Sequence, residues 1–181
     1  VVILIIFISL SFIYFSPLLE GKRLDMPDIK HHKGMSKEVV DYRNETGEEA
    51  LWTNSMFSGM PAYQISIKSN NNLIQYVVKA IHLGLPRPAN LLFLYLLGFY
   101  LLLLSLSIDY RISAIGAVAF AFSSYFFIII MAGHMTKAHA IAYLPMVVAA
   151  VLYTYRGKML LGGVLTSLAS LPVSTQVFFP A

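Results

Sequence analysis

Two polar clusters in an otherwise oily chain carry side chains suited to chemistry. The first is Leu24-Asp25-Met26-Pro27-Asp28-Ile29-Lys30-His31-His32, which follows closely on an apolar run ending at Leu19. A carboxylate at such a boundary, Asp25 or Asp28, can take a proton from a hydroxyl while the apolar part of a substrate stays in the oily phase. The same acids would serve equally as solvated or helix-capping groups. His31 and His32 invite a metal, but neighbours on a helix point about 100° apart and share one ion only with help from other ligands. A divalent metal therefore has no support in the spacing, no cofactor is called for, and solvated or phosphate-facing imidazoles are the better reading. The second cluster is Gly133-His134-Met135-Thr136-Lys137-Ala138-His139. In a helical turn His134 and Lys137 face the same way, so one imidazole and one ammonium, with His139 nearby, could grip one phosphate. Interfacial snorkelling would place the same residues there.

The elements that must position these clusters are apolar helices. Hydrophobic residues make up 57% of the 181 residues and charged ones 12%, against about 25% charged in an ordinary soluble domain. Val1 to Leu19, Leu91 to Ile108 and Ile112 to Met131 contain no Asp, Glu, Lys or Arg, and a helix needs about 20 such residues to cross a bilayer. The expectation is an all-α polytopic membrane protein of about five transmembrane helices, at residues 1–19, 90–108, 112–131, 138–155 and 159–181. Residues 20–89 form a large polar first loop, and every acid except Asp109 lies in it. Val1 to Leu19 is too long for the usual apolar core of a secretory signal, and Ser16-Pro17-Leu18-Leu19 is a poor cleavage site. A start at Val1 and an apolar run still open at Ala181 point to a fragment of a longer protein, with the last span incomplete.

Short connections, Asp109-Tyr110-Arg111 and Arg156-Gly157-Lys158 among them, make successive spans antiparallel. Arg111, Arg156 and Lys158 fall on one side against Lys137 on the other, so the first side is cytoplasmic and the long loop lies outside. Within the loop, Ser36 precedes a short helix candidate through Arg43 that Gly47 would end. Asn71 or Asn72 can cap an amphipathic helix bearing Leu73, Ile74, Val77, Val78 and Ile81, stopped by Gly84 and Pro86. Between the two, Trp52 to Gln64 reads as an ordered loop. The net charge of +4 comes from bases interleaved with acids, which speaks against nucleic acid. No cysteine is present, which removes disulfides and thiolate metal sites. The clear spans hold no charge, which counts against a transporter. Gly-rich phosphate loops, Gly-x-Ser-x-Gly elbows and His-Glu-x-x-His motifs are missing, so hydrolase and nucleotide-binding readings lack support.

At these residues the sequence resembles the bacterial YfhO family of membrane proteins. The matching stretches are Leu19-Glu20-Gly21-Lys22, Asp28-Ile29, Gly34-Met35-Ser36-Lys37-Glu38, Thr46-Gly47-Glu48-Glu49, Trp52-Thr53-Asn54-Ser55-Met56-Phe57, Gly59-Met60-Pro61-Ala62-Tyr63-Gln64, Leu85-Pro86-Arg87-Pro88 and Gly133-His134 through Tyr143. They run in order from Phe15 to about Thr166; Leu171 to Ala181 departs from the pattern, which would continue with Asn, His and Gln near the outer end of a further span. The resemblance implies a GT-C-like glycosyltransferase taking sugar from a polyprenyl-phosphate donor to a cell-envelope acceptor, at the outer face of the bacterial cytoplasmic membrane. It places the loop acid on Asp28, with Asp25 as a neighbour. His134, Lys137, His139, His32, Trp52, Asn54, Tyr63 and Gln64 complete the expected substrate-contacting set, and the partners are membrane lipid and the lipid-linked sugar. The alternative is a non-enzymatic membrane assembly or lipid-binding protein, with a transporter third.

Overall fold

The first apolar run stops being an α-helix where Pro17 removes a backbone N–H. Helix α1 covers Val2–Tyr14, and a 3-10 turn, Ser16–Glu20, closes on Gly21. The computed structural model describes residues 2–66, 76, 80 and 82–178, with side chains as far as Ala169. Pro27 opens α2, Pro27–Met35, at a first-turn position that lacks a hydrogen-bond acceptor in any case. The next helix, α3 (Lys37–Thr46), ends at Gly47, whose N–H donates to the Arg43 carbonyl at 2.9 Å. A two-residue hairpin follows, β1 (Trp52–Thr53) paired antiparallel with β2 (Met60–Pro61), Trp52 opposite Pro61. The amphipathic helix expected around Leu73 to Ile81 falls almost wholly outside the described residues.

Apolar helices make up the rest of the chain: α4 (Ala89–Ser105), α5 (Tyr110–Ala121), α6 (Ser124–Ala132), α7 (Met135–Tyr155) and α8 (Met159–Phe178). Helix α4 is the centre of the bundle, with Leu91 to Leu96 buried on every side. Tyr95 Oη donates to the Ala138 carbonyl at 3.1 Å, and Arg156 Nη1 at the far end donates to the Ser105 carbonyl, so α4 and α7 run parallel. A Cβ on Gly98 would lie 2.8 Å from the Ala142 carbonyl oxygen; glycine there lets the two backbones approach, as small residues do in apolar bundles. Phe99 stacks on Phe120 at 4.2 Å and Tyr95 on Phe126 at 4.7 Å, so α5 and α6 together run antiparallel to α4. Phe7 of α1 meets Tyr100 edge-on at 5.6 Å.

The mostly helical architecture is the all-α fold expected, but the individual spans differ from expectation. Residues 112–131 are not one helix: α5 and α6 meet at Phe122-Ser123 with a bend of 48°, Ser123 taking extended angles. The bend lets Phe120 and Phe126 both reach the α4 aromatics. Helix α7 starts at Met135 rather than 138, which puts Met135, Thr136 and Lys137 inside the helix as well. Among the described residues, α7 alone is long and apolar enough to cross a membrane by itself; α5 with α6 reaches that length as a bent pair. Helices α1 and α4 are shorter, as is Met159–Ala169, the part of α8 whose side chains are described. The expected set of about five uninterrupted spans is therefore not what helix length gives.

Candidate functional site

Asp28 occupies the first turn of α2, where the helix dipole favours an acid. Helix α6 ends at Gly133, with φ of 90°, and His134 caps the start of α7. These two ends meet. A Cβ on Gly133 would lie 3.1 Å from the Cβ atoms of both Asp28 and Met26, so the approach requires glycine by space as well as by backbone conformation. Across it His134 Nδ1 donates to Asp28 Oδ2 at 2.5 Å, with the two side chains 51% and 46% exposed. An imidazole held through Nδ1 keeps Nε2 available to a ligand, and the carboxylate keeps its second oxygen.

The pair opens into a cleft of about 640 Å³ lined also by His31, His32, Thr136 and Lys137, with Ile29 and Met35 as apolar wall. Lys137 Nζ lies 5.4 Å from the centre of the Tyr125 ring, a cation held over an aromatic face. A carboxylate, an imidazole and an ammonium converging on one opening can exchange a proton with a hydroxyl and hold an anion at the same time. Among the described residues, no three His, Asp or Glu side chains are gathered as a metal-ligand set.

Four of the expected site residues, Asp28, His32, His134 and Lys137, line this one cleft. Asp25 does not join them; its carboxylate accepts from Lys30 Nζ at 2.6 Å on the outer side of α2. His139 is a correction: it is fully buried, its Nδ1 donating to the Met135 carbonyl at 2.7 Å. Once α7 is helical from Met135, residue 139 stands about 140° around the axis from residue 134 and points inward. Trp52, Asn54, Tyr63 and Gln64 sit with the hairpin and are absent from the cleft wall. The Trp52 indole covers Gly59, while Tyr63 and Gln64 are exposed. The Asn54 N–H, at 3.1 Å, joins the Thr53 hydroxyl at 2.6 Å and the Ser55 N–H at 2.9 Å on Glu38 Oε2. Those three donors, led by the Thr53 hydroxyl, hold the Glu38 carboxyl below its usual pKa.

A second polar group escaped sequence reasoning. His82 Nε2 lies 2.8 Å from the Tyr143 hydroxyl, Asn90 Nδ2 donates to His82 Nδ1 at 2.9 Å, and the rings of His82 and His139 stack at 5.4 Å. Burial, then the neighbouring His139 and Arg87, pushes the His82 pKa down to about 4, so the ring is neutral at pH 7. The signal available was the spacing of four between His139 and Tyr143, which puts both on one face of α7. Compared with protein-family models, with curated proteins and with solved structures, the chain gives no match to any of them.

Proposed function

We propose that the chain belongs to a multi-pass bacterial membrane glycosyltransferase of the YfhO type. On this reading it moves sugar from a polyprenyl-phosphate donor to a cell-envelope acceptor at the outer face of the cytoplasmic membrane. The observation that carries the proposal is the contact between Asp28 and His134, two residues from separate stretches of the resemblance, in one cleft beside the ends of the apolar helices. Support for a lipid surround comes from the outside of the bundle, where Ile5, Ile13, Ile115, Ile128, Leu144 and Leu160 are exposed on five different helices. Apolar surface spread over every outer helix is costly in water and suits hydrocarbon.

In the proposed reaction the free oxygen of Asp28 takes the proton of an acceptor hydroxyl as its oxygen attacks the anomeric carbon. The bond from that carbon to the phosphate oxygen breaks, the phosphate leaves with the electron pair, and the anomeric configuration inverts. His134 fixes the carboxylate, and Lys137 offsets the charge that grows on the leaving phosphate. The test is consumption of a radiolabelled polyprenyl-phosphate sugar by the full-length protein. Asp28→Asn is expected to lower transfer at least 100-fold, as loss of a general base does by roughly 10²–10⁴, with membrane insertion unchanged. Full activity in that variant would remove Asp28 from the role.

A further inference from the structure

On the other side of the start of α2 lies a second cleft, of about 650 Å³, whose wall includes Lys22, Arg23, Lys33 and Arg87 and no acid. Lys22 is engaged by Glu20 at 2.5 Å. Among the described residues, no carboxylate pairs with Arg23, Lys33 or Arg87. Arg87 is only partly exposed, and burial holds its pKa below the ordinary arginine value; a guanidinium in that position remains charged and lacks a counter-ion. The same cleft has apolar wall from Leu18 and Ile29. It opens between the turn that follows α1 and the residues that lead into α4, two apolar helices that end on this side of the bundle.

We propose that this cleft binds the phosphate group of an anionic membrane lipid, separately from the Asp28 cleft. Three unpaired cations supply the recognition of a phosphodiester or phosphomonoester, Arg87 by its planar fork and Arg23 and Lys33 by charge. Leu18 and Ile29 receive the first part of the acyl chain. The site shares Ile29 with the wall of the Asp28 cleft, so an occupied phosphate site steadies the turn of α2 that carries Asp28. The inference rests on the membrane reading above and on no feature of the sugar chemistry.

The experiment uses the full-length protein in nanodiscs of phosphatidylcholine with a small fraction of spin-labelled phosphatidylglycerol, and reads the motionally restricted lipid. Arg23→Gln with Arg87→Gln is expected to weaken retention about 30-fold, the loss expected for two cations facing an anionic headgroup. Lys30→Gln with Lys37→Gln removes the same charge outside the cleft and is expected to leave retention unchanged. Arg87→Lys, which keeps the charge, and Lys33→Gln, at an exposed position, guard against loss of fold; the first should retain most binding and the second lose part. Equal losses in both double variants, or none in Arg23→Gln/Arg87→Gln, would overturn the proposal. Inorganic phosphate in excess separates the sources: survival of the restricted signal assigns the site to lipid, and displacement of that signal assigns it to soluble phosphate and overturns the lipid claim. Asp28→Asn should leave lipid retention intact, so failure of the sugar reaction and failure of this site are read independently.

Discussion

His134 and Asp28 depend on a neighbour with no side chain. Gly133 combines a positive φ with a close approach of Asp28 and Met26, 3.1 Å from where a Cβ would stand, so Gly133→Ala adds backbone strain to a contact that makes its neighbours give way. We expect that variant to lose about 1–3 kcal/mol of stability, read as a lower unfolding midpoint in detergent, and to part Asp28 from His134. An unchanged midpoint would show that the two ends have room to spare. At this scale the sequence was informative about residue type and less so about direction. Asp28, His32, His134 and Lys137 were recognisable as chemical groups, and they line one opening. Asp25 was indistinguishable from Asp28 in spacing; the structure separates them, Asp25 pairing with Lys30 and Asp28 with His134 in the cleft. His139 looked like a third member of its cluster because it is close in sequence, whereas its place on α7 turns it into the bundle.

Among the elements, α3 and the hairpin are joined chiefly through one carboxylate. Glu38 accepts from Thr53, Asn54 and Ser55, and its lowered pKa ties that attachment to pH. The folded state binds its proton less tightly than the unfolded one, so the contribution is complete above the ordinary glutamate value and is lost as pH falls through the lowered folded value. Protection of the Asn54 and Ser55 amides, measured against the unstructured exchange rate at the same pH, should therefore fall on acidification, and Glu38→Gln should show little protection at every pH. Slow exchange in that variant would show that the hairpin holds without the carboxylate. Helix α3 was legible because Gly47 marks its end; α2 was not expected, although Pro27 is a start signal. The break between α5 and α6 was hidden for a physical reason. Absence of charge measures whether a segment tolerates an apolar surround, and Ser123 in extended geometry alters the direction of the chain without altering that measure.

For the whole molecule, the apolar helices form one bundle around α4, and both clefts open at the end where α1 finishes and α4 and α7 begin. Arg156, held by Ser105 and Ser107, marks the opposite end with Arg111 and Lys158. The clefts and these three cations thus lie at opposite ends of the bundle, and on the proposed membrane reading the cation-bearing end is the cytoplasmic one. The helical, apolar character of these segments could be read from the sequence because burial in a bundle and burial in lipid both exclude charge; the helix ends could not, since caps and bends cost few residues. The central claim is that Asp28 and His134 form one site at the outer boundary of a bilayer. The chain has no cysteine of its own, so Asp28→Cys with His134→Cys can be treated in intact cells with a short, charged, membrane-impermeant bis-methanethiosulfonate cross-linker, followed by cleavage of the loop between the two positions. The two fragments are expected to remain joined only when both cysteines are present. Separate fragments, or joining only after the cells are permeabilised, would contradict the claim.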